Sequence, residues 1–279
     1  MKLGLFTSGY QREPVEHMFQ DAARFGYDYI ELWGGRPHAY PPDLNRYGTQ
    51  ELRSLSDRYG IPISIFTPEL NAYPYNFMLG TETQRQSCVE YIKQCMDAAS
   101  ALGCQATLIS AAHAGNLTSR EAIWDRLVRT LQELVPHAER LGQKLILEPL
   151  TPYESNTVTS ANDLYSVFQA VPSEALVGMC DVVAPFVQHE SISAYFDKLG
   201  QKMYHMHIVD SSGSDDVHLV PGEGRLPLPE LMYELKERDY HGSATIELVT
   251  NYLNEPRFYA RRAIQNLRQM MQEGDSHAY

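Results

Sequence analysis

The chain has 279 residues, of which 43% are hydrophobic and 21% are charged, a composition typical of globular proteins that excludes extensive disorder. Its net charge of -12 repels phosphate groups, so we expect neither nucleic acid nor a membrane surface as a partner. No apolar run is long enough to span a membrane, and the N-terminus lacks the apolar core and cleavage site of a signal peptide, so we expect a cytoplasmic protein.

Eight short runs along the chain are apolar on both faces and rich in β-branched or aromatic residues. Such runs are typical of buried parallel strands. The predicted strands are residues 2–7, 27–33, 61–67, 105–111, 144–148, 176–181, 203–209 and 244–249. The four cysteines form no CxxC pair, and we interpret them as small buried hydrophobic residues. They are Cys88, Cys95, Cys104 and Cys180.

Amphipathic stretches lie between these strands. Each of the first four ends at a glycine, the residue that favours a left-handed helix cap. The predicted helices are residues 15–25, 50–59, 84–102, 122–141 and 228–238. Eight strands alternating with helices predict a (β/α)8 TIM barrel that residues 1–279 form as one domain. An open doubly wound sheet is the alternative, but the segment TSGY after the first strand lacks the GxGxxG pattern that such a sheet needs to bind a dinucleotide.

Ionisable residues stand at the ends of four neighbouring predicted strands, where a barrel builds its active site. They are Glu148, Asp181, His207 and Glu247. A buried charge is costly unless it is paired or binds a metal, so the four together predict one metal site, with separate salt bridges as the alternative. The oxygen-rich set suits a divalent ion such as Mn²⁺, Co²⁺, Mg²⁺ or Ni²⁺. Ionisable residues also occur at or after the second, third and fourth strands, namely Glu31, Glu69 and His113.

Four further residues are candidates for binding a substrate, and each has a structural alternative. Trp33 ends the second strand and could stack on a sugar ring or pack in the core. His113 could contact the substrate or make a structural hydrogen bond, and Glu154 could orient a ligand or be a solvated loop charge. Arg225, in PGEGR, could bind a hydroxyl or an anion, or cap a loop. His205 lies one layer below His207, and we interpret it as a hydrogen-bonded core histidine.

Four segments resemble, in chain order, the metal-site motifs of the xylose-isomerase-like TIM-barrel superfamily: LILEP, GMCD, HMHIVD followed by PGEGRLPL, and TIELV. That superfamily includes sugar isomerases, ketose 3-epimerases, hydroxypyruvate isomerases and the endonuclease IV group. The segments FTSGYQR, ELWGGRPHAY, LISAAHAG and LEPLTPYESN are more narrowly similar to the fructoselysine 3-epimerases. The resemblance implies that the four strand-end residues bind a divalent metal, that Glu148 and Glu247 form an acid/base pair, and that Glu154 supports the substrate.

The function implied by this resemblance is metal-dependent 3-epimerisation of a ketose or a ketosamine, with conversion of fructoselysine to psicoselysine favoured. The reaction would remove the C3 proton through a metal-stabilised enediolate. Two alternatives keep the same metal site: a 1,2-aldose/ketose or hydroxypyruvate-type isomerase, and a ketose-phosphate epimerase. A different class is a metal- or sugar-binding module without turnover. Because relatives associate, we expect a homo-oligomer, in which the aromatic-rich segment 73–78 could serve an interface or act as a lid.

The chain departs from the related families at two places. Ala184 occupies a position at which free-ketose 3-epimerases and endonuclease IV have a histidine, which argues against a three-zinc nuclease. The loop after the seventh strand is longer than in free-ketose enzymes and lacks their arginine. It carries three acidic residues that could meet the amine of a lysine adduct, or could form a solvated acidic loop. They are Asp210, Asp215 and Asp216.

Overall fold

The structure, a computed structural model, describes residues 1–70 and 75–276 and contains a closed barrel of eight parallel strands. Each strand pairs with its successor in the chain, and β8 pairs with β1. The predicted TIM barrel is therefore confirmed. The strands are β1 Lys2–Phe6, β2 Tyr29–Trp33, β3 Ile63–Thr67, β4 Ala106–Ser110, β5 Lys144–Glu148, β6 Leu176–Asp181, β7 Met203–His207 and β8 Ser243–Ile246.

Helices surround the barrel. They are α1 Val15–Phe25, α2 Pro41–Tyr47, α3 Gln50–Tyr59, α4 Glu82–Leu102, α5 Arg120–Leu141, α6 Ala161–Ala170, α7 Val183–Gln188, α8 Ser193–Leu199, α9 Leu228–Glu237 and α10 Pro256–Ser276. The predicted glycine caps occur where expected: Gly103 after α4 has φ 84° and Gly142 after α5 has φ 66°. Within the described residues, no helix is both long and apolar enough to cross a bilayer.

Successive side chains of each strand point to opposite faces of the barrel wall, so the buried apolar residues form two layers. One layer lies between the strands and the helices, and it contains all but a few of the buried apolar residues. A smaller cluster fills the barrel interior, and its members are Tyr29, Ile65, Ala106, Leu108, Ile146, Val177 and Met179. Tyr29 crosses the barrel over Gly4, where an added Cβ would lie 2.3 Å from the tyrosine ring, and its hydroxyl is 2.9 Å from Thr245 Oγ1. This interior layer supports the residues above it.

Two predictions about packing have clear outcomes. All four cysteines are buried, as predicted. The segment 73–78 lies partly outside the described residues, which exclude Tyr73 and Pro74. Of its described part, Phe77 and Met78 are buried, and the ring of Tyr75 stacks on Tyr91 with centroids 4.0 Å apart.

Candidate metal centre

Four predicted residues meet at the carboxyl ends of the strands. Glu148 ends β5, Asp181 ends β6, His207 ends β7, and Glu247 directly follows β8. Glu148 and Asp181 each lie two residues after a member of the interior cluster, so strand alternation directs them inward. One potential ligand atom from each of the four lies within 4.8 Å of the others. The structure thus brings the four together as a candidate metal centre.

His207 lies at the centre of this group. Its Nδ1 is 2.9 Å from Glu247 Oε2, 3.0 Å from Glu148 Oε1 and 3.8 Å from Asp181 Oδ2. This nitrogen is buried, yet none of these contacts has the geometry of a hydrogen bond. Buried polar atoms are rarely left unpaired. The Nδ1 of His207 and the three carboxylates face a common point, where a cation could bind all four. The four residues therefore suit a divalent ion.

The other nitrogen of His207 is held by a buried carboxylate. His207 Nε2 lies 3.1 Å from Glu31 Oε1, and His205 Nε2 lies 3.0 Å from Glu31 Oε2. Thr67 Oγ1 also donates to Glu31 at 2.6 Å, and His205 Nδ1 contacts Ser243 Oγ at 2.7 Å. Glu31 therefore orients His207 with Nδ1 toward the centre, as carboxylates commonly do for histidine ligands. His205 is a hydrogen-bonded core histidine, as predicted.

A second imidazole, which the sequence analysis missed, also contacts the centre. His218 is buried in the loop between β7 and α9, and its Nδ1 lies 3.1 Å from the backbone oxygen and 3.2 Å from the carboxylate Oε2 of Glu247. Its Nε2 lies 3.5 Å from Asp181 Oδ2. A histidine in a long loop carries no periodic signal, so only the path of the loop reveals this contact.

The two glutamates have opposite electrostatic environments. Burial raises the pKa of Glu148 to about 7. The neighbouring carboxylates Glu247 and Asp181 raise this pKa further, whereas His207 lowers it. Burial also opposes ionisation of Glu247, but His207 and His218 outweigh it and lower the pKa of that carboxyl to about 2. Carboxyl groups whose environments separate their pKa values in this way are typical of acid/base pairs.

Three of the four residues, Glu148, Asp181 and Glu247, line a cavity of about 390 Å³. Six carboxyl groups line it, and none of the described lining residues is a lysine or an arginine. The carboxyl groups belong to Glu69, Glu148, Glu154, Asp181, Asp216 and Glu247. His218 also lines the cavity, and Ala184 contributes only a methyl group. The cavity is therefore strongly acidic and suited to cations.

The structure brings two of the four predicted substrate-binding residues to this cavity. Trp33 and Glu154 line it. His113 and Arg225 are not among the lining residues. His113 Nδ1 accepts a hydrogen bond from the backbone of Gly115 at 2.9 Å, and this is the structural role that was its alternative. The side chain of Arg225 is exposed.

The PGEGR motif serves to close the loop after β7. The buried carboxylate of Asp210 accepts hydrogen bonds from the backbone nitrogens of Ser211 at 2.8 Å, Gly222 at 2.9 Å and Leu226 at 2.9 Å. An added Cβ at Gly224 would lie 2.3 Å from Asp210 Oδ1, so this approach requires glycine. Neither of the two roles considered for Asp210, contact with a substrate amine or a solvated loop charge, fits the structure, because its carboxylate is buried and accepts hydrogen bonds within the loop.

The other two acidic residues of this loop differ in position. Asp215 is exposed, and its carboxylate accepts hydrogen bonds from Ser212 Oγ at 2.9 Å and Val217 N at 3.3 Å. Asp216 is partly buried and lines the cavity. Of the three acidic residues, the structure places only Asp216 where a substrate could reach it.

A family model and a relative of high sequence identity agree on the family of this chain. Residues 19–270 match the family model of the xylose isomerase-like TIM barrel. The chain is 52% identical to fructoselysine 3-epimerase of Escherichia coli O157:H7 over 99% of the chain and 100% of that protein. This relative confirms the prediction of an isomerase, because epimerases are isomerases.

Solved structures share the fold at low sequence identity. D-psicose 3-epimerase from Clostridium cellulolyticum H10 is 18% identical, with a TM-score of 0.79 over 97% of this chain and 99% of that one. The IolI protein, solved with a bound zinc atom, is 20% identical, with a TM-score of 0.79 over 100% of this chain and 99% of that one. The chain belongs to the xylose isomerase-like TIM barrel family.

Proposed function

We propose that the chain is a divalent-metal-dependent 3-epimerase that converts fructoselysine to psicoselysine. The observation that carries the proposal is the position of Glu148 and Glu247, which face one acidic cavity from strands β5 and β8 on either side of His207. The substrate is proposed because a protein 52% identical over 99% of the chain is named fructoselysine 3-epimerase.

Inversion at C3 requires that a proton leave one face of the carbon and return to the other. Glu148 and Glu247 come from strands separated by β6 and β7, so they can approach a bound sugar from two sides. One carboxylate accepts the proton while the other, as a carboxylic acid, delivers one. The roles exchange in the reverse direction, because the same two groups then meet the opposite epimer.

Glu148, Asp181, His207 and Glu247 would hold the metal, and the unpaired Nδ1 of His207 supports this assignment. A divalent ion supplies a positive charge that stabilises the negative charge developing on the sugar oxygens as the C3 proton leaves. Glu31 would keep His207 in the orientation for binding. Mn²⁺, Co²⁺, Mg²⁺ and Ni²⁺ are the candidate ions for an oxygen-rich set.

The composition of the cavity disfavours a phosphorylated ketose. Phosphate binding usually uses lysine, arginine or a ring of backbone N–H groups. The described lining residues include six carboxyl groups and no lysine or arginine, so a phosphate dianion would be repelled. A 1,2-isomerase would use the same glutamates, and the position of proton exchange distinguishes it from a 3-epimerase.

Proton exchange in D₂O tests this proposal. We expect wild-type enzyme loaded with Mg²⁺ to replace the C3 proton of fructoselysine with deuterium and to produce the C3 epimer, both visible by proton NMR. Glu247→Gln should slow the exchange by about 100-fold or more, because it removes one of the two proton-transfer groups. Glu237→Gln is the matched control, since Glu237 is exposed at the end of α9 and loses the same charge.

The possible outcomes separate the candidate functions. Exchange at C1 in place of C3 would identify a 1,2-isomerase. Absence of exchange with every ketose and with each candidate metal would favour the binding module. Wild-type exchange rates in Glu247→Gln, with an unchanged circular dichroism spectrum, would reject Glu247 as a proton-transfer group.

A further inference from the structure

We propose that Asp216, together with Glu154, binds the protonated amine at C1 of a ketosamine and thereby selects ketosamines over free ketoses. The inference rests on the proposed function, because it assigns a substrate contact within the same cavity. It concerns selection of the substrate and leaves proton transfer to Glu148 and Glu247.

The two carboxyl groups meet across the cavity from separate loops. Glu154 lies in the loop between β5 and α6, and Asp216 lies in the loop between β7 and α9. The side chain of Asp216 interacts with Glu154 and with Thr151. Thr151 Oγ1 lies 3.4 Å from Glu154 Oε2. The second oxygen of Asp216, Oδ1, is buried and has no hydrogen-bond partner in the described part of the chain. It therefore has unused capacity to accept a hydrogen bond from a ligand.

Charge balance in the cavity also calls for a cation at this position. Glu148, Asp181 and Glu247 would be compensated by the metal and His207. The positive charge of His218 acts on Asp216 and Glu154 as well, but the two ring nitrogens of His218 contact Glu247 and Asp181. None of the described residues that line the cavity is a lysine or an arginine. Two adjacent buried carboxyl groups need a shared proton or an external cation.

The position matches the chemistry of a ketosamine. The amine nitrogen is bonded to C1, only three bonds from C3, so a sugar whose C3 lies between Glu148 and Glu247 places its amine close to them. Glu154 and Asp216 line the same cavity as Glu148 and Glu247. A free ketose carries a neutral hydroxyl at the same position and gains no ionic interaction.

The two loops are held together independently of the carboxyl pair. Tyr153 donates a hydrogen bond from its hydroxyl to the backbone oxygen of Ser214 at 2.9 Å, and Asp210 closes the second loop through Ser211, Gly222 and Leu226. These contacts hold the backbone of both loops without the carboxylate of Asp216, so Asp216→Asn should remove the negative charge while the loops keep their shape.

The test compares kcat/KM for fructoselysine with kcat/KM for free fructose in the metal-loaded enzyme, measured by C3 proton exchange. Asp216→Asn should lower kcat/KM for fructoselysine by about 10- to 100-fold, mainly through KM, because it removes a charge-assisted hydrogen bond. The value for free fructose should stay within a few-fold of wild type. Asp215→Asn is the matched control: it removes the same charge from the neighbouring exposed residue and should leave both values unchanged.

Calorimetric titration with fructoselysine provides a readout that does not depend on turnover. Weaker binding by Asp216→Asn, with Asp215→Asn like wild type, supports the amine contact. An equal loss for both sugars would overturn it and assign Asp216 to loop structure, and no loss for either would also overturn it. If wild-type enzyme binds fructoselysine but exchanges no C3 proton, the proposed function fails while the amine contact can still be measured.

Discussion

Glu31 is the residue on which the orientation of His207 depends. It is fully buried and contacts Thr67, His205 and His207. We predict that Glu31→Gln lowers the affinity for a divalent metal by about 10- to 100-fold, because partners behind a histidine ligand typically contribute this much. Titration of the metal by calorimetry measures it, with Glu237→Gln as the control for charge. Metal affinity equal to that of the wild type would show that His207 is oriented by its packing alone.

At the level of single residues, the sequence predicted those site residues whose position follows from strand alternation. Glu148, Asp181 and His207 end strands, and a charge at the end of an apolar strand is visible in the sequence. Loop residues carry no such signal, because their positions depend on contacts distant in the chain. His218 was missed for this reason. The sequence likewise does not reveal that PGEGR encloses the Asp210 carboxylate, or that the exposed Arg225 of this motif lies outside the cavity lining.

Among the helices, α4 and α5 are joined by a buried arginine. Arg85 on α4 is only 2% exposed, and its guanidinium donates hydrogen bonds to Glu82 at 2.6 Å, Thr130 at 3.2 Å and Glu133 at 2.6 Å. We predict that Arg85→Ala lowers the free energy of unfolding by about 2–3 kcal/mol, because it removes a long packed side chain and leaves a cavity between the helices.

The matched control is Glu133→Gln. Glu133 is 42% exposed, and Glu82 still pairs with Arg85 in its absence, so the cost should be below about 1 kcal/mol. Urea denaturation followed by circular dichroism compares the variants, and C3 proton exchange should persist in both. Equal costs for the two substitutions would mean that the ion pair, and not the packing of the arginine, joins the helices.

The predicted elements agree best with the observed ones where periodicity and a terminal glycine act together. Helices α1 and α3 begin and end at the predicted residues, Val15–Phe25 and Gln50–Tyr59. The helices α2, α7 and α8 were not predicted, because they span only seven, six and seven residues, too few for a clear helical repeat. The helices α6 and α10 were not predicted either, although they span 10 and 21 residues, and neither is followed by a glycine. The eighth strand was predicted to end at residue 249 but ends at Ile246. Ile246 is its last residue paired with β1, and Thr245 is its last residue paired with β7.

For the whole molecule, metal binding should couple to stability. Three carboxylates and a histidine lie together, and an ion that binds only the folded chain stabilises it by mass action. We predict that metal at about a hundred times its Kd raises the unfolding midpoint by roughly 5–10 °C, and that a chelator reverses the shift. Differential scanning calorimetry measures it. Asp181→Asn should reduce the shift, whereas an identical shift in that variant would place the ion elsewhere.

The closed loop between β7 and α9 has an evolutionary consequence. Most of the proposed metal and proton-transfer groups stand on or next to barrel strands, whereas Asp216 stands on a loop that Asp210 and the two glycines of PGEGR close upon itself. Such a loop can be exchanged between related chains, provided that the new loop keeps His218, whose ring contacts Glu247 and Asp181. New substrate preferences could then arise by replacing one surface segment while the ancestral chemistry is inherited intact.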